Sequence, residues 1–312
     1  MSVAALAADI FAGASERRGA VAFHYATPLT PRQLAWYSRF EVLVTHDPLP
    51  PAQVAQLHAR GTKLVLYEWS VAFYASLAGA WQKQWIAERR GLLHSYPLRG
   101  GVGAADADAW YYDPASREHL EERPRMLAQK LRAIGYDGVF LDTTTAESVH
   151  ADALAEYRLR HPDLGYDAAF ARFMKGLRRE LGAKGVVITN QGYRAPDSLL
   201  PWADYDVSES LITHPVNGKF AMRPRKDAHD PWKGIDFLMR KLIAPAKKKY
   251  PRVRFIHLNY VDMLTPAKVE SIVRIARAHG DEAFVTLPSL AREGSDGDAY
   301  FRAIPLRRVP VP

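Results

Sequence analysis

Eight short, almost continuously apolar segments recur along the chain, and helical patterns separate them. The segments are 20–26, 40–46, 62–68, 137–142, 185–190, 205–210, 253–259 and 282–288. Strands with apolar side chains on both faces are typical of parallel sheets that helices cover. The intervening stretches, such as AAFARFMKGLRRELGAKG, have amphipathic spacing, a basic last turn and a terminal glycine. Eight such repeats within 312 residues predict an α/β protein with a (β/α)8 TIM-barrel fold.

A doubly wound open sheet is the main alternative for this alternation. Such a sheet usually carries a glycine-rich phosphate loop after its first strand, and the segment FHYATPLTPRQL has none. No Pro/Ser linker divides the chain, so we predict one barrel domain over 1–312. It would include an N-terminal helix at about 1–18 and a Pro-rich C-terminal tail at about 303–312.

Three long insertions follow strands three, four and six of this scheme. They are residues 69–115, 143–165 and 211–232. Loops that follow barrel strands build the active site in nearly all enzymes with this fold. We therefore expect any functional site at this end of the barrel.

The composition excludes several kinds of chemistry. Without cysteine the chain can form no disulfide, thiolate nucleophile or Cys-bound zinc site. No GxSxG elbow, Walker loop or GxGxxG motif after a strand is present. The N-terminus lacks the basic leader of a signal peptide, and no apolar run approaches the roughly 18 to 20 residues that span a bilayer. We predict no cofactor, no membrane partner and an undetermined localisation.

Polar residues end most of the apolar segments, and in a barrel they would share one mouth. They are His24, Tyr25, His46, Asp47, Tyr67, Glu68, Asp142, Asn190, Gln191, Asp206, Ser208, Glu209, His257, Asn259, Tyr260 and Thr286. Each has a structural explanation alone, but together they outline a polar cleft. Three of its acids, Glu68, Asp142 and Glu209, come from three different strands. Glycoside hydrolysis requires such a set, because one carboxyl protonates the leaving oxygen while an opposing carboxylate attacks the sugar or activates water.

Asp142 has a competing interpretation as a capping residue. It ends the buried run GVFLD and precedes Thr143, Thr144 and Thr145, so it could cap the turn that follows. Its position at the end of a buried strand favours a reactive group. We keep capping as the alternative role.

Aromatic residues near the predicted mouth are consistent with a sugar ligand. Trp69 follows strand three, and Trp110 and Tyr111 lie in the insertion after it. Sugar rings present C–H faces that pack against flat aromatic surfaces, and a few polar groups then fix their orientation. The candidate substrate-binding residues are Tyr25, Glu68, Trp69, Trp110, Tyr111, Asn190, Asn259 and Tyr260.

The segment YDGVFLDT resembles the central motif of glycoside hydrolase family 114-like barrels, the endo-α-1,4-polygalactosaminidases and related glycosidases. The resemblance implies a glycosidase in which Asp142 at the end of strand four is the nucleophile or base. It also implies that Glu209 at the end of strand six is the proton donor. Many relatives carry a further Asp shortly after the strand-four Asp, where this chain reads TTTAES. The family resemblance is compatible with a secreted or cell-envelope protein.

Two other classes of function stay open. A non-catalytic barrel would keep the cleft and bind carbohydrate without hydrolysing it. This alternative stays open because the further Asp that many relatives carry after the strand-four Asp is missing here. A metal-dependent barrel hydrolase is disfavoured because no HxH or HExxH element is present, and we predict no metal site.

The distribution of charge bears on the partner. From Asn217 onward the chain has 19 lysine and arginine residues against 10 acidic ones, which accounts for its net charge of +8. Basic residues in the insertion after strand six would repel a cationic polymer, so we predict a neutral, N-acetylated or acidic glycan. The cations do not alternate with exposed aromatics, so we predict no nucleic-acid partner.

Overall fold

The computed structural model describes residues 18–70, 72–74, 95–97, 109–142, 144–227, 233–290 and 299–303. The predicted N-terminal helix and nearly all of the predicted C-terminal tail lie outside the described residues. Within them, no helix is long and apolar enough to cross a membrane.

Eight parallel strands form a nearly closed barrel, as the sequence predicts. They are β1 (Gly19–His24), β2 (Phe40–Thr45), β3 (Lys63–Trp69), β4 (Gly138–Asp142), β5 (Val186–Asn190), β6 (Tyr205–Glu209), β7 (Arg254–Tyr260) and β8 (Glu282–Thr286). Each strand pairs in parallel with the next along the chain. Ala20 N in β1 donates to Glu282 Oε2 in β8 at 3.1 Å, which brings the last strand beside the first.

Helices connect successive strands and cover the outside of the barrel. They are α1 (Pro31–Tyr37), α2 (Pro51–Ala59), α3 (Arg123–Ala133), α4 (Ala151–Arg160), α5 (Tyr166–Leu181), α6 (Pro196–Leu199), α7 (Ile235–Phe237), α8 (Ala244–Lys249), α9 (Pro266–Ala278) and α10 (Ala299–Ala303). π-helical turns precede α3 at Glu118–Glu122 and join α7 to α8 at Leu238–Ile243.

Local sequence signals explain where several helices begin and end. Thr30 and Gln33 form a capping box at the start of α1, in which each side chain accepts from the other residue's backbone N–H. The glycines expected to stop α2 and α9, Gly61 and Gly280, have φ angles of 73° and 72°. Residues with a side chain rarely adopt that conformation, so glycine favours the chain reversal there.

The long insertions form structure of their own. After β3, the short strands Ala72–Tyr74, Ser95–Pro97 and Ala109–Tyr112 pair as an antiparallel sheet with Ala109–Tyr112 in the middle. After β6, Thr213–Val216 and Lys219–Met222 form a hairpin. Both insertions follow the carboxyl ends of their strands, where the candidate site is expected.

Buried Asp206 anchors the turn between β5 and β6. Its carboxylate accepts from Thr189 Oγ1 and from the backbone N–H groups of Gly192 and Tyr193, at 2.7, 2.7 and 3.0 Å. A Cβ on Gly192 would lie 2.8 Å from Asp206 Oδ1, so the approach requires glycine. Asp206 points away from the barrel interior, and its role is to hold the turn that follows Asn190.

Replacing Asp206 with Ala should destabilise the fold, because three buried donors lose their acceptor. We expect the free energy of unfolding to fall by about 3 kcal/mol. The melting temperature of a chain of this size should then fall by roughly 6 to 12 °C, measured by calorimetry. Asp163→Ala, which removes an exposed acid, is the matched control. Equal melting temperatures for the two variants would contradict the anchoring role.

Candidate active site

Strand alternation decides which of the predicted site residues face the barrel interior. Successive side chains of a strand point to opposite faces, so Tyr67 and Trp69 share one face of β3 and Glu68 lies on the other. Tyr67 packs inside the barrel against Phe140 of β4, with ring centroids 5.8 Å apart. Asp142 lies two positions after Phe140 on β4, so its side chain also faces the barrel interior.

Asp142 and Glu209 lie close together at the carboxyl ends of β4 and β6. The Asn190 side chain at the end of β5 lies between them. Its Nδ2 donates to Asp142 Oδ1 at 2.7 Å and to Glu209 Oε2 at 3.1 Å. The two accepting oxygens therefore lie no farther apart than the sum of these distances, 5.8 Å. The predicted convergence of Asp142 and Glu209 is present in the structure.

Two tyrosines hold the outer oxygens of the carboxyl pair. Tyr67 Oη donates to Asp142 Oδ2 at 2.6 Å, and Tyr260 Oη donates to Glu209 Oε1 at 2.6 Å. Each carboxyl group is thus fixed by one phenol and by the shared amide of Asn190. The carboxylate of Asp142 is bound by side chains of β3 and β5, and the backbone N–H of Ala146 in the next turn is instead capped by Asp167 Oδ1 at 2.8 Å. The capping role of Asp142 stays an alternative prediction.

The environment of Glu209 raises the pKa of its carboxyl group. Burial raises its pKa first, and the nearby charge of Asp142 raises it further. Hydrogen bonds from Tyr260 and Asn190 oppose this rise without cancelling it. A carboxyl group with a raised pKa is the one suited to donate a proton.

An aromatic group lies on the Asp142 side of the pair, around Tyr67, whose hydroxyl binds Asp142. The Tyr25 ring lies 5.3 Å from His46 and 5.4 Å from Tyr67, and the Trp69 ring lies 6.0 Å from Tyr67. Burial and then the charges of Asp142 and Glu209 raise the pKa of the Tyr25 phenol. The candidates Tyr25 and Trp69 therefore belong to this aromatic group.

Tyr67 and His46 were missing from the candidate binding residues, although both belong to the set of strand-end polar residues. A signal was available for Tyr67, because it lies two positions before Trp69 on the same face of β3. Nothing in the sequence shows that its hydroxyl reaches Asp142, since Asp142 lies 75 residues further along the chain.

The structure places Glu68 outside the site that the sequence predicts, which is a correction. Its carboxylate points to the outer face of β3 and pairs with Arg123 of α3, with Nη2 2.8 Å from Oε1 and both side chains buried. Arg123 also donates to the backbone oxygens of Trp69 and Ser70 at 2.6 and 2.8 Å. This pair fixes the end of β3 to the helix layer.

Removing one member of the Glu68–Arg123 pair should be strongly destabilising. Glu68→Leu leaves the Arg123 guanidinium buried without its carboxylate, and we expect a loss of about 3 to 5 kcal/mol in the free energy of unfolding. The double variant Glu68→Leu/Arg123→Met should lose less than the sum of the two single variants. Chemical denaturation of all four proteins measures this coupling. Strictly additive losses would contradict a direct ion pair.

The structure also places Asn259 outside the predicted site, which is a second correction. It alternates with Tyr260 on β7 and points to the outer face, where it is fully buried. Its Oδ1 accepts from the backbone N–H groups of Ile212 and Thr213 at 2.9 and 3.0 Å, and its Nδ2 donates to His257 O at 3.0 Å. Asn259 therefore anchors the base of the hairpin after β6 and does not face the carboxyl pair.

Two candidates in the insertion after β3 stay predictions. Trp110 pairs through its backbone with Phe73 and Pro97, and its side chain lies outside the described residues. Tyr111 is buried at 4% exposure. Within the described ranges, no group of three or more His, Cys, Asp or Glu side chains could hold a metal ion.

Comparison with known proteins connects this barrel with glycoside hydrolase structures. No family model matches the sequence, and no curated protein matches it. The glycoside hydrolase domain of PelA from Pseudomonas aeruginosa is similar at a TM-score of 0.62 and 21% identity, over 88% of this chain and 96% of that domain.

Two further structures are similar at lower identity. Aspergillus fumigatus Ega3, solved in complex with galactosamine, has a TM-score of 0.53 and 11% identity over 89% of this chain and 93% of its own. The α-galactosidase TtGalA from Thermus thermophilus has a TM-score of 0.54 and 16% identity over 94% of this chain and 64% of its own. The chain therefore has the barrel fold of these glycoside hydrolase structures, as its resemblance to family 114-like barrels predicts.

Proposed function

We propose that the protein is a retaining glycoside hydrolase in which Asp142 is the nucleophile and Glu209 is the general acid and base. The bridge of Asn190 Nδ2 between the two carboxyl groups is the main support, because it limits the two accepting oxygens, Asp142 Oδ1 and Glu209 Oε2, to a separation of at most 5.8 Å. Carboxyl groups about 5 to 5.5 Å apart are typical of retaining glycosidases. Inverting enzymes separate them by roughly 6.5 to 9.5 Å to admit a water molecule.

In the first step the Asp142 carboxylate attacks the anomeric carbon of the sugar. Glu209 gives its proton to the glycosidic oxygen, the bond between that oxygen and the anomeric carbon breaks, and the leaving sugar departs as an alcohol. The product is a glycosyl ester on Asp142. The raised pKa of Glu209 keeps the proton available for this step.

In the second step water attacks the anomeric carbon of the ester. The ionised Glu209 takes a proton from that water, and the bond to Asp142 breaks to release the sugar and regenerate both groups. Two displacements restore the original anomeric configuration. Tyr67, Asn190 and Tyr260 hold the carboxyl groups in place throughout, because each donates to at least one of them.

The substrate of this proposal is an oligo- or polysaccharide that is neutral, N-acetylated or acidic. The charges of the insertion after β6 support this choice: Lys219 and Lys226 are exposed, and Arg225 is 82% exposed although it pairs with Asp236. Arg223 does not contribute, because it is buried and donates to the backbone oxygens of Leu211 and Ser210. α-1,4-Linked N-acetylgalactosamine oligosaccharides fit both this charge and the family resemblance.

A panel of glycans tests the proposal. Purified protein is incubated with α-1,4-linked N-acetylgalactosamine oligosaccharides, their deacetylated cationic forms, neutral α-galactosides and acidic polymers. We expect hydrolysis of an uncharged or acidic member, with proton NMR showing a first product of the same anomeric configuration as the substrate. An inverted product would contradict the retaining mechanism. Binding without hydrolysis would favour the non-catalytic carbohydrate-binding barrel, and preference for the cationic form would overturn the predicted charge of the substrate.

A further inference from the structure

The hairpin after β6 stands beside the proposed proton donor. Its strands Thr213–Val216 and Lys219–Met222 are joined by Asn217 and Gly218, whose φ angles of 49° and 77° suit a tight hairpin turn. Its base is fixed by two bonds: the backbone N–H of Thr213 reaches Asn259 Oδ1, and Arg223 N donates to Ile212 O at 2.8 Å. The hairpin thus projects from the barrel with a defined orientation.

One face of the hairpin meets the residues that hold Glu209. The Phe220 ring lies 5.4 Å from the ring of Tyr260, whose hydroxyl binds Glu209. Phe220 N donates to Asp262 Oδ2 at 3.1 Å, which attaches the hairpin to the loop after β7. Phe220 itself is only half-buried, so part of this aromatic residue remains open to solvent beside the site.

The same face continues into an exposed apolar strip. Pro215 lies opposite Phe220 in the pairing register, and Met222 follows two positions later on the same face. Pro215 is exposed, and Met222 is 43% exposed. Among the described large hydrophobic residues, Met222 is one of four that are exposed, and Val216, which is another, lies on the opposite face of the hairpin. Clustered exposure of this kind marks a binding surface more often than isolated exposure does.

The proposed chemistry fixes which part of a glycan would reach this strip. Glu209 protonates the leaving oxygen, so the sugar attached to that oxygen lies on the Glu209 side of the cleft. Tyr260 and Phe220 lie on that side, whereas Tyr67 binds Asp142. A sugar ring can pack its C–H face on the Phe220 side chain and the neighbouring apolar strip.

Resting on the proposed function, we infer that this strip, formed by Pro215, Phe220 and Met222, is a subsite for the leaving-group sugar. The preferred substrate is therefore a chain that continues past the cleaved bond. The strip distinguishes such a chain from a substrate whose leaving group is small. Lys219 pairs with Val216 on the opposite face of the hairpin, so it does not belong to the strip.

The test compares two substrates that share the same glycosyl unit. One is an α-1,4-linked N-acetylgalactosamine tetrasaccharide, and the other is N-acetylgalactosaminyl fluoride, which lacks a leaving-group sugar. For Phe220→Ala we expect the ratio of kcat/KM for the tetrasaccharide to that for the fluoride to fall at least tenfold. Phe220→Trp, which keeps a flat ring, should restore most of the ratio. Val216→Ala, on the opposite hairpin face, should leave the ratio within twofold of the wild-type value.

A ratio that Phe220→Ala leaves unchanged would overturn the subsite, even if both rates fall together. A separate binding measurement distinguishes failure of the subsite from failure of the proposed function. If the wild-type protein hydrolyses no member of the glycan panel, the hydrolase proposal fails alone, and titration of the tetrasaccharide followed by tryptophan fluorescence then tests the strip. At least tenfold weaker binding by Phe220→Ala would support the subsite. Equal binding, or no binding by the wild-type protein, would overturn it.

Discussion

Asp142→Asn should reduce kcat/KM on any hydrolysed glycan by at least about 10^3-fold, because it removes the group that forms the new bond to the sugar. The substitution retains the shape of the side chain, and its amide oxygen can still accept from Asn190 Nδ2, which now donates to Asp142 Oδ1 at 2.7 Å. The fold should therefore survive, and the melting temperature should remain close to that of the wild-type protein. Initial rates and calorimetry on the same preparation separate the two effects.

Asp163→Asn is the matched control for this loss. It makes the same chemical change at an exposed position in the loop before α5, and it should retain wild-type rates. Azide added to Asp142→Ala offers a further check, since a small anion can occupy the space of the missing carboxylate and attack in its place. Undiminished turnover by Asp142→Asn would remove Asp142 from the mechanism.

Glu209→Gln should produce the second large effect, and its size should depend on the leaving group. Loss of a general acid typically costs about 10^2- to 10^4-fold. We expect that loss in kcat/KM for an oligosaccharide, whose leaving oxygen must be protonated. A glycosyl fluoride needs little protonation, so its kcat/KM, which reports the first displacement, should fall by less than about tenfold.

The pH profile provides an independent test of the role of Glu209. Burial and the charge of Asp142 raise the pKa of Glu209, so the acid form persists to higher pH than for an exposed glutamate. The oligosaccharide rate of the wild-type protein should fall as the pH rises through that pKa, because the proton is then lost. Glu209→Gln should lack this alkaline decline. Equal losses on both substrates, or an unchanged alkaline decline, would contradict the assignment.

The sequence was sufficient to predict the barrel and the convergence of Asp142 and Glu209. Eight apolar segments correspond to the eight strands within one or two residues at their ends, because strands buried on both faces are continuously apolar. The convergence of Asp142 and Glu209 could be predicted because each ends such a segment, and the family resemblance singled out this pair. Carboxyl ends of parallel barrel strands meet at one mouth whatever their separation along the chain.

The same property explains why Glu68 and Asn259 were wrongly placed in the site. In strands buried on both faces, hydrophobicity does not alternate, so it does not indicate which side of a strand faces the barrel interior. Glu68 and Asn259 each lie next to an aromatic residue that does face inward, Tyr67 and Tyr260. The inward direction of Asp142 and Glu209 on β4 and β6 could not be transferred to residues of β3 and β7, because the register between these strands was not known from the sequence.

The bridging role of Asn190 also required coordinates. The sequence places Asn190 at the end of β5, between the two acid-bearing strands in chain order, and this suggests proximity. That one amide group donates to both carboxyl groups depends on the rotation of its side chain and on the stagger of β4, β5 and β6. Neither quantity is encoded by local patterning.

Covalent trapping of the glycosyl intermediate tests the central claim most directly. The protein is incubated with a glycosyl fluoride of the hydrolysed sugar that carries a second fluorine to slow breakdown of the ester. Trypsin should release Asp142 in the peptide 133–158 and Glu209 in the peptide 195–219. We expect mass spectrometry to find the sugar on peptide 133–158, with fragmentation assigning it to Asp142. A label on Glu209 or on any other residue, or inverted products with no label formed, would contradict the account.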